Sequence, residues 1–147
     1  MKRALLCLVV LISVGFVAVY IHAQSLPEYR VIVNQENPID SLSKDQVSQI
    51  FLKKVKQWND GREAFPVDLT ADAEVRESFS KGVHNRSVAS IKSYWQRMIF
   101  SGREVPPPEK QTESEVMEYV ASKSGAIGYI RASTGIGGPV KSLNVTD

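Results

Sequence analysis

Eighteen residues without a charge, Ala4 to Ile21, follow Lys2 and Arg3 at the start of this chain. The run ends at Ile21-His22-Ala23, where a small residue precedes a polar stretch opening at Gln24. Basic, then apolar, then small is the order of a secretory signal peptide. The run is longer than the ~7–15 residues of an ordinary signal core and close to the ~17–25 needed to span a bilayer. Ile21, at the −3 position, is also a poorer cleavage residue than alanine. Two outcomes stay open: residues 1–23 are cut as a signal peptide, or they remain as an anchor. In both, residues 24–147 fold as a single domain on the far side of a membrane, and only an uncleaved signal touches that membrane.

Setting residues 1–23 apart changes the charge. Lys2 and Arg3 leave with the signal, so sixteen basic and sixteen acidic residues remain. A nucleic-acid binder shows a basic excess gathered on one face, and none is present, so no nucleic acid is expected as partner. The single cysteine, Cys7, lies inside the apolar run without the small residues that precede a lipidated cysteine. The rest of the chain has no disulfide or thiolate chemistry available. Its 124 residues fit the usual size of one domain, about 100–150, and can bury a core without staples.

Strand and helix signals alternate along this remainder. Tyr29 to Val33 is short and β-branched, which predicts a buried strand, and Asn34 to Pro38 predicts a turn. Ser43-Lys44-Asp45-Gln46 is a capping box, with Leu42 and Val47 placed for a hydrophobic staple. The helix it starts carries Val47, Ile50, Phe51 and Val55 on one stripe. Trp58-Asn59-Asp60-Gly61 reads as a turn. Phe65 to Leu69 predicts a strand with its proline near the start. A helix follows through Val75, Phe79 and Val83 and closes near Gly82 or Asn85. Ser87 caps another helix, whose Val88, Ile91, Tyr94, Trp95, Met98 and Ile99 predict a well-buried core element. Pro106 to Pro108 must be extended. A second capping box, Thr112 to Glu115, opens a helix with Val116, Tyr119 and Val120. Gly125 to Ile130 predicts a strand whose glycines admit another backbone closely. A last strand is expected around Val140 to Val145. Interleaved strands and helices make this an α/β chain.

The inventory of reactive groups is poor. With His22 in the signal, His84 is the remaining histidine, and no cysteine accompanies it, so the usual zinc clusters are unavailable. No G-x-S-x-G elbow is present. His84 reads as a residue at a helix C-terminus, where the dipole favours it. No catalytic residue, metal site or cofactor is expected. The loop and helix start after Leu69 offer an anion site instead: Thr70, Ala71, Asp72 and Ala73 present backbone amides and a hydroxyl, and Arg76 a guanidinium fork. Against this, Asp72 and Glu74 occupy the same first turn, where carboxylates occupy the donors and repel a phosphate; Arg76 is then expected to pair with one of them. Trp58 is either exposed for a partner or folded back on the domain.

The ordered set Ser41 to Phe51, Trp58-Asn59-Asp60-Gly61, Val67-Asp68, Arg76-Glu77-Ser78-Phe79 and Gly125-Ala126-Ile127-Gly128-Tyr129 resembles the phosphate-binding proteins of bacterial ABC transporters. The resemblance covers most of residues 30–130. It implies a type II periplasmic binding-protein fold, represented by one of its two lobes, with a mixed sheet flanked by helices. In that family an arginine follows the strand, Ser-Gly-Thr starts the next helix, and a phenylalanine comes four residues beyond. Aligned on Phe79, those places hold Leu69, Ala73, Glu74 and Val75 here, so the side-chain donors are replaced. The resemblance implies an exported, periplasmic, solute-binding-like domain for which phosphate or another oxyanion is the expected ligand. The alternative is an interaction module that keeps the fold and binds an envelope protein or a second copy of itself.

Overall fold

The computed structural model describes residues 29–147, so the expected signal over residues 1–23 lies outside the described residues. The chain order is β1 (Tyr29–Asn34), β2 (Ser41–Ser43), α1 (Lys44–Phe51), β3 (Phe65–Pro66), β4 (Asp68–Leu69), α2 (Glu74–His84), α3 (Val88–Phe100), β5 (Glu109–Lys110), α4 (Glu113–Ser122), β6 (Ala126–Arg131), β7 (Val140–Ser142) and β8 (Asn144–Thr146). The main sheet runs β3-β6-β1-β7. Its β1 is antiparallel to both β6 and β7, whereas β3 is parallel to β6, so the sheet is mixed as expected.

Val31, Ile32 and Val33 are all buried. Successive strand side chains point to opposite faces, so three in a row require a layer on each side of the sheet. Strand β6 shows which helices form those layers. A Cβ added to Gly128 would lie 2.7 Å from Val116 and 3.2 Å from Val120, which places α4 against that face. Tyr129, the next residue, points the other way and stacks on Phe79 of α2, with centroids 3.8 Å apart and planes 4° from parallel. Phe51 of α1 packs against the same pair.

Both capping boxes form. Ser43 and Gln46 exchange side-chain and backbone bonds at the start of α1, and Thr112 and Glu115 do so at α4. The far end of α4 is closed from a distance, because the buried Asn34 amide donates to the carbonyls of Val120 and Ala121 at 2.9 and 3.0 Å. Helix α2 ends on Asn85 in the left-handed conformation. Trp58 is folded back: it is 5% exposed and its indole donates to the Gly125 carbonyl at 2.9 Å.

Four expectations need correction. Helix α1 stops at Phe51, and Lys53 takes a positive φ of 52°, so Val55 leaves the helical stripe for an exposed loop. The strand over Phe65 to Leu69 divides, its first half pairing with β6 and its second with β5. The last strand divides at the buried Leu143, its halves joining β1 and β2. Helix α3 is not a central core element. It buries Val88, Ile91 and Trp95, and the last two form a small cluster with Leu52 that stands apart from the main core. Its spacing correctly identified side chains that share a face, but periodicity does not say how much structure covers that face.

The tight fit at β6 gives a direct test. Gly128→Ala is expected to destabilise the domain by about 1–3 kcal/mol, because the methyl must displace Val116 and Val120 in an already filled layer. Gly125→Ala is expected to cost more, since its Cβ would lie 2.0 Å from the Glu63 carbonyl oxygen, a backbone atom. Urea denaturation reads both; wild-type midpoints would mean that the layers are looser than described.

Candidate ligand site at the start of helix α2

Strand β4 delivers the chain to the expected site. Its Asp68 and Leu69 are buried and pair in parallel with Glu109 and Lys110 of β5. The Thr70 amide donates to the Lys110 carbonyl at 3.0 Å, and the Ala73 amide to the Thr70 carbonyl at 3.1 Å. This turn sets Ala73 as the N-cap of α2. Thr70 and Ala73 are half-buried, and Ala71 and Asp72 are exposed. These four residues therefore share one loop at the helix start.

The expected self-capping is absent. Ala73 has no side chain able to accept, and no side-chain cap bond forms at this helix start. Asp72 stands exposed, and Glu74 reaches Arg131 at 3.4 Å across the surface. The local charge still opposes an anion, since both carboxylates flank the first turn.

Arg76 does not join the loop, nor does it pair with Asp72 or Glu74 as expected. It is 5% exposed and turned beneath the helix start. Its Nη1 donates to Asp68 Oδ1 at 2.7 Å and to the Leu69 carbonyl, with Glu109 Oε1 at 3.5 Å. The Tyr129 hydroxyl donates to the same Asp68 carboxylate, which also accepts the Leu69 amide at 3.0 Å. Burial raises the Asp68 carboxyl to about 6, outweighing the opposing pull of Arg76 and Tyr129. Burial, with the Asp68 charge second, raises the Tyr129 phenol well above its ordinary range. This is a closed internal network that ties β4, β6 and α2 together. The sequence reading missed Asp68 and Tyr129 as its members. The available signal was Asp68 itself, an acid set between Val67 and Leu69 where a strand should be apolar.

His84 lies in the last turn of α2, and its Nδ1 shares a 2.8 Å hydrogen bond with Ser48 Oγ of α1. Burial first, then Arg76, Arg86 and Lys54, hold its imidazole down to about 4. It is therefore neutral at pH 7 and links two helices, in place of the dipole-favoured cation that its position predicted. Among the described residues, no three His, Cys, Asp or Glu side chains gather as a metal set, and no helix is long and apolar enough to cross a membrane.

The described residues form an α/β lobe in which the start of α2 follows the end of β4. Residues 28–143 match the model of the PBP superfamily domain, and the chain belongs to that superfamily. Among solved structures, it is similar to an ABC-type phosphate transport receptor from Vibrio cholerae, at 18% identity and a TM-score of 0.63, covering 80% of this chain and 46% of that one. It is equally similar to a putative phosphate ABC transporter substrate-binding protein with bound phosphate from Clostridium perfringens, at 18% identity and a TM-score of 0.63, covering 80% and 44%. PstS from Borrelia burgdorferi aligns at 14% identity and a TM-score of 0.56, over 80% and 47%. The chain spans a little under half the length of each, which fits the expected single lobe of a type II fold.

Two outcomes follow from the buried groups. Arg76→Met is expected to destabilise the domain by about 3–5 kcal/mol, since it leaves Asp68 buried without its partner, and adding Asp68→Asn should recover part of the loss. The pH profile is set by two opposing groups. His84 has a depressed folded pKa, so its contribution is full above about 6.5 and is lost as pH falls towards 4. Asp68 has a raised folded pKa, so its contribution is full below about 3.8 and is lost as pH rises to about 6. His84→Gln should therefore flatten the acid loss by up to about 3 kcal/mol between pH 6.5 and 4, read by urea midpoints across that range. An unchanged acid limb would mean that His84 titrates freely in the folded state.

Proposed function

We propose that this chain is an exported, periplasmic interaction module that keeps the lobe of a phosphate-type solute-binding protein and docks on a component of the cell envelope. The observation that carries this reading is Arg76. The guanidinium that a phosphate would need is buried and already paired with Asp68, while the helix start above it carries Asp72 and Glu74. The arginine and Ser-Gly-Thr positions of the resembling family hold Leu69, Ala73, Glu74 and Val75, and Leu69 and Val75 are buried as packing residues. Cleavage after Ala23 would release residues 24–147 as the working domain. No residue is assigned a catalytic role.

One observation favours a second reading. Because Ala73 supplies no side-chain acceptor, the Glu74 and Val75 amides of the first turn keep their donors open to a guest, while the Arg76 amide donates to the Ala73 carbonyl at 2.9 Å. In that reading Thr70, Ala71, Asp72 and Ala73 hold phosphate or another oxyanion, and a second copy supplies the opposing wall of the cleft.

Calorimetric titration of the exported chain with phosphate and with sulfate at neutral pH separates the two. No saturable heat is expected at micromolar to low millimolar anion. Micromolar binding of either anion, weakened on removing the Thr70 hydroxyl in Thr70→Val, would return the protein to the solute-binding role. Arg76→Ala is unsuitable for this experiment, because it breaks the buried pair.

A further inference from the structure

The exposed large apolar side chains among the described residues are Val55, Ile99, Phe100 and Val105, and none belongs to the α2 start. Ile99 and Phe100 close α3, and Val55 and Val105 lie on the loops that follow α1 and α3. The middle of α3 is tied to the end of α1 by the Tyr94 hydroxyl on the Leu52 carbonyl at 3.1 Å, and the two loops are joined by Glu104, which pairs with Lys56 and lies 3.8 Å from Lys53. Phe100 is 91% exposed, Val105 59% and Ile99 51%. A phenylalanine that far out in water, next to an exposed isoleucine, is an unfavourable arrangement unless something covers it.

Charge identifies the chemistry of the cover. Residues 86–108 contain four basic residues and one acidic residue, Glu104, in a chain whose charges balance once Lys2 and Arg3 are set aside. Glu104 is held by Lys53 and Lys56, and among the described residues no carboxylate pairs with Arg97 or Arg103. Arg97 lies one helical turn before Phe100 on the same side of α3, and Arg103 follows just past the turn at Gly102, whose φ is 65°. Apolar side chains at a tip, with free guanidinium groups beside them, match the boundary of an anionic bilayer. Phosphates meet the cations there, and the acyl region receives the apolar groups.

We infer that the end of α3, centred on Phe100 and flanked by Arg97 and Arg103, is a docking surface for an anionic lipid bilayer. This contact is separate from any anchoring by residues 1–23 and independent of the reading proposed for the α2 start. It orients the domain with the loop after α1 and the end of α3 towards the membrane.

Phe100→Trp provides a reporter at the tip, because Trp58 and Trp95 are 5% and 6% exposed and give a fixed background. The exported chain carrying this change is mixed with vesicles of brominated phosphatidylcholine alone, or of the same lipid with one third phosphatidylglycerol, at low salt. The new indole should shift to the blue and be quenched by the brominated anionic vesicles and not by the neutral ones. Adding Arg97→Glu and Arg103→Glu should raise the lipid needed by on the order of tenfold or more. Unchanged emission with anionic vesicles would overturn the proposal, as would equal insertion into neutral ones or indifference to the charge reversals. A blue shift given only by a lipid-free envelope extract would overturn it in favour of a protein partner.

Discussion

Strand β6 has to serve two layers with consecutive residues, and much of the architecture depends on how it does so. Gly128 has no side chain, and α4 descends onto that face until Val116 and Val120 fill the space a methyl would take. One residue on, Tyr129 supplies the opposite layer with a ring that stacks flat on Phe79 and a hydroxyl that reaches Asp68. A large residue at 128 would hold α4 away from the sheet. A small one at 129 would leave α2 without its stacking partner and Asp68 without one of its three donors.

That hydroxyl joins packing to electrostatics. Asp68 is almost fully buried, and a carboxylate in such a place requires partners that are themselves held in position. Arg76, Tyr129 and the Leu69 amide supply them from α2, β6 and β4. Burial is nonetheless the larger effect on Asp68, which is why its carboxyl is raised in spite of a guanidinium 2.7 Å away. The same arrangement withdraws the nearest guanidinium from the start of α2. An inherited lobe can thus persist while the group best suited to grip an anion serves as an internal brace.

Local signals were legible and long-range ones were not. Both capping boxes form as read, because each is a reciprocal bond between residues three apart and depends on little else. The close approach at Gly125 and Gly128 was also readable, since it reflects what one residue's backbone permits, whereas the end of α2 stayed open between Gly82 and Asn85 and falls at Asn85. The ordered motifs pointed to the correct superfamily and to a single lobe. Arg76 was read as the partner of Asp72 or Glu74, its neighbours in sequence, and the partner proved to be Asp68 on the preceding strand. Helix α3 was read as core from its spacing, yet its last turn is largely exposed because no described element crosses over it. Trp58 remained undecided in the sequence, since its acceptor, the Gly125 carbonyl, lies 67 residues away.

The amino-acid order alone determined the alternation of strands and helices, the starts of two helices and the scarcity of histidine and cysteine. These follow from backbone sterics, from capping bonds within one turn and from composition. Tertiary structure decided which side chains are spoken for. It placed Arg76 beneath the helix start, linked His84 to Ser48, and left Phe100 projecting between Arg97 and Arg103, with which no carboxylate of the described residues pairs. The physical reason is that burial and pairing depend on distances between segments far apart in the chain. No local pattern encodes those distances until the layers have packed.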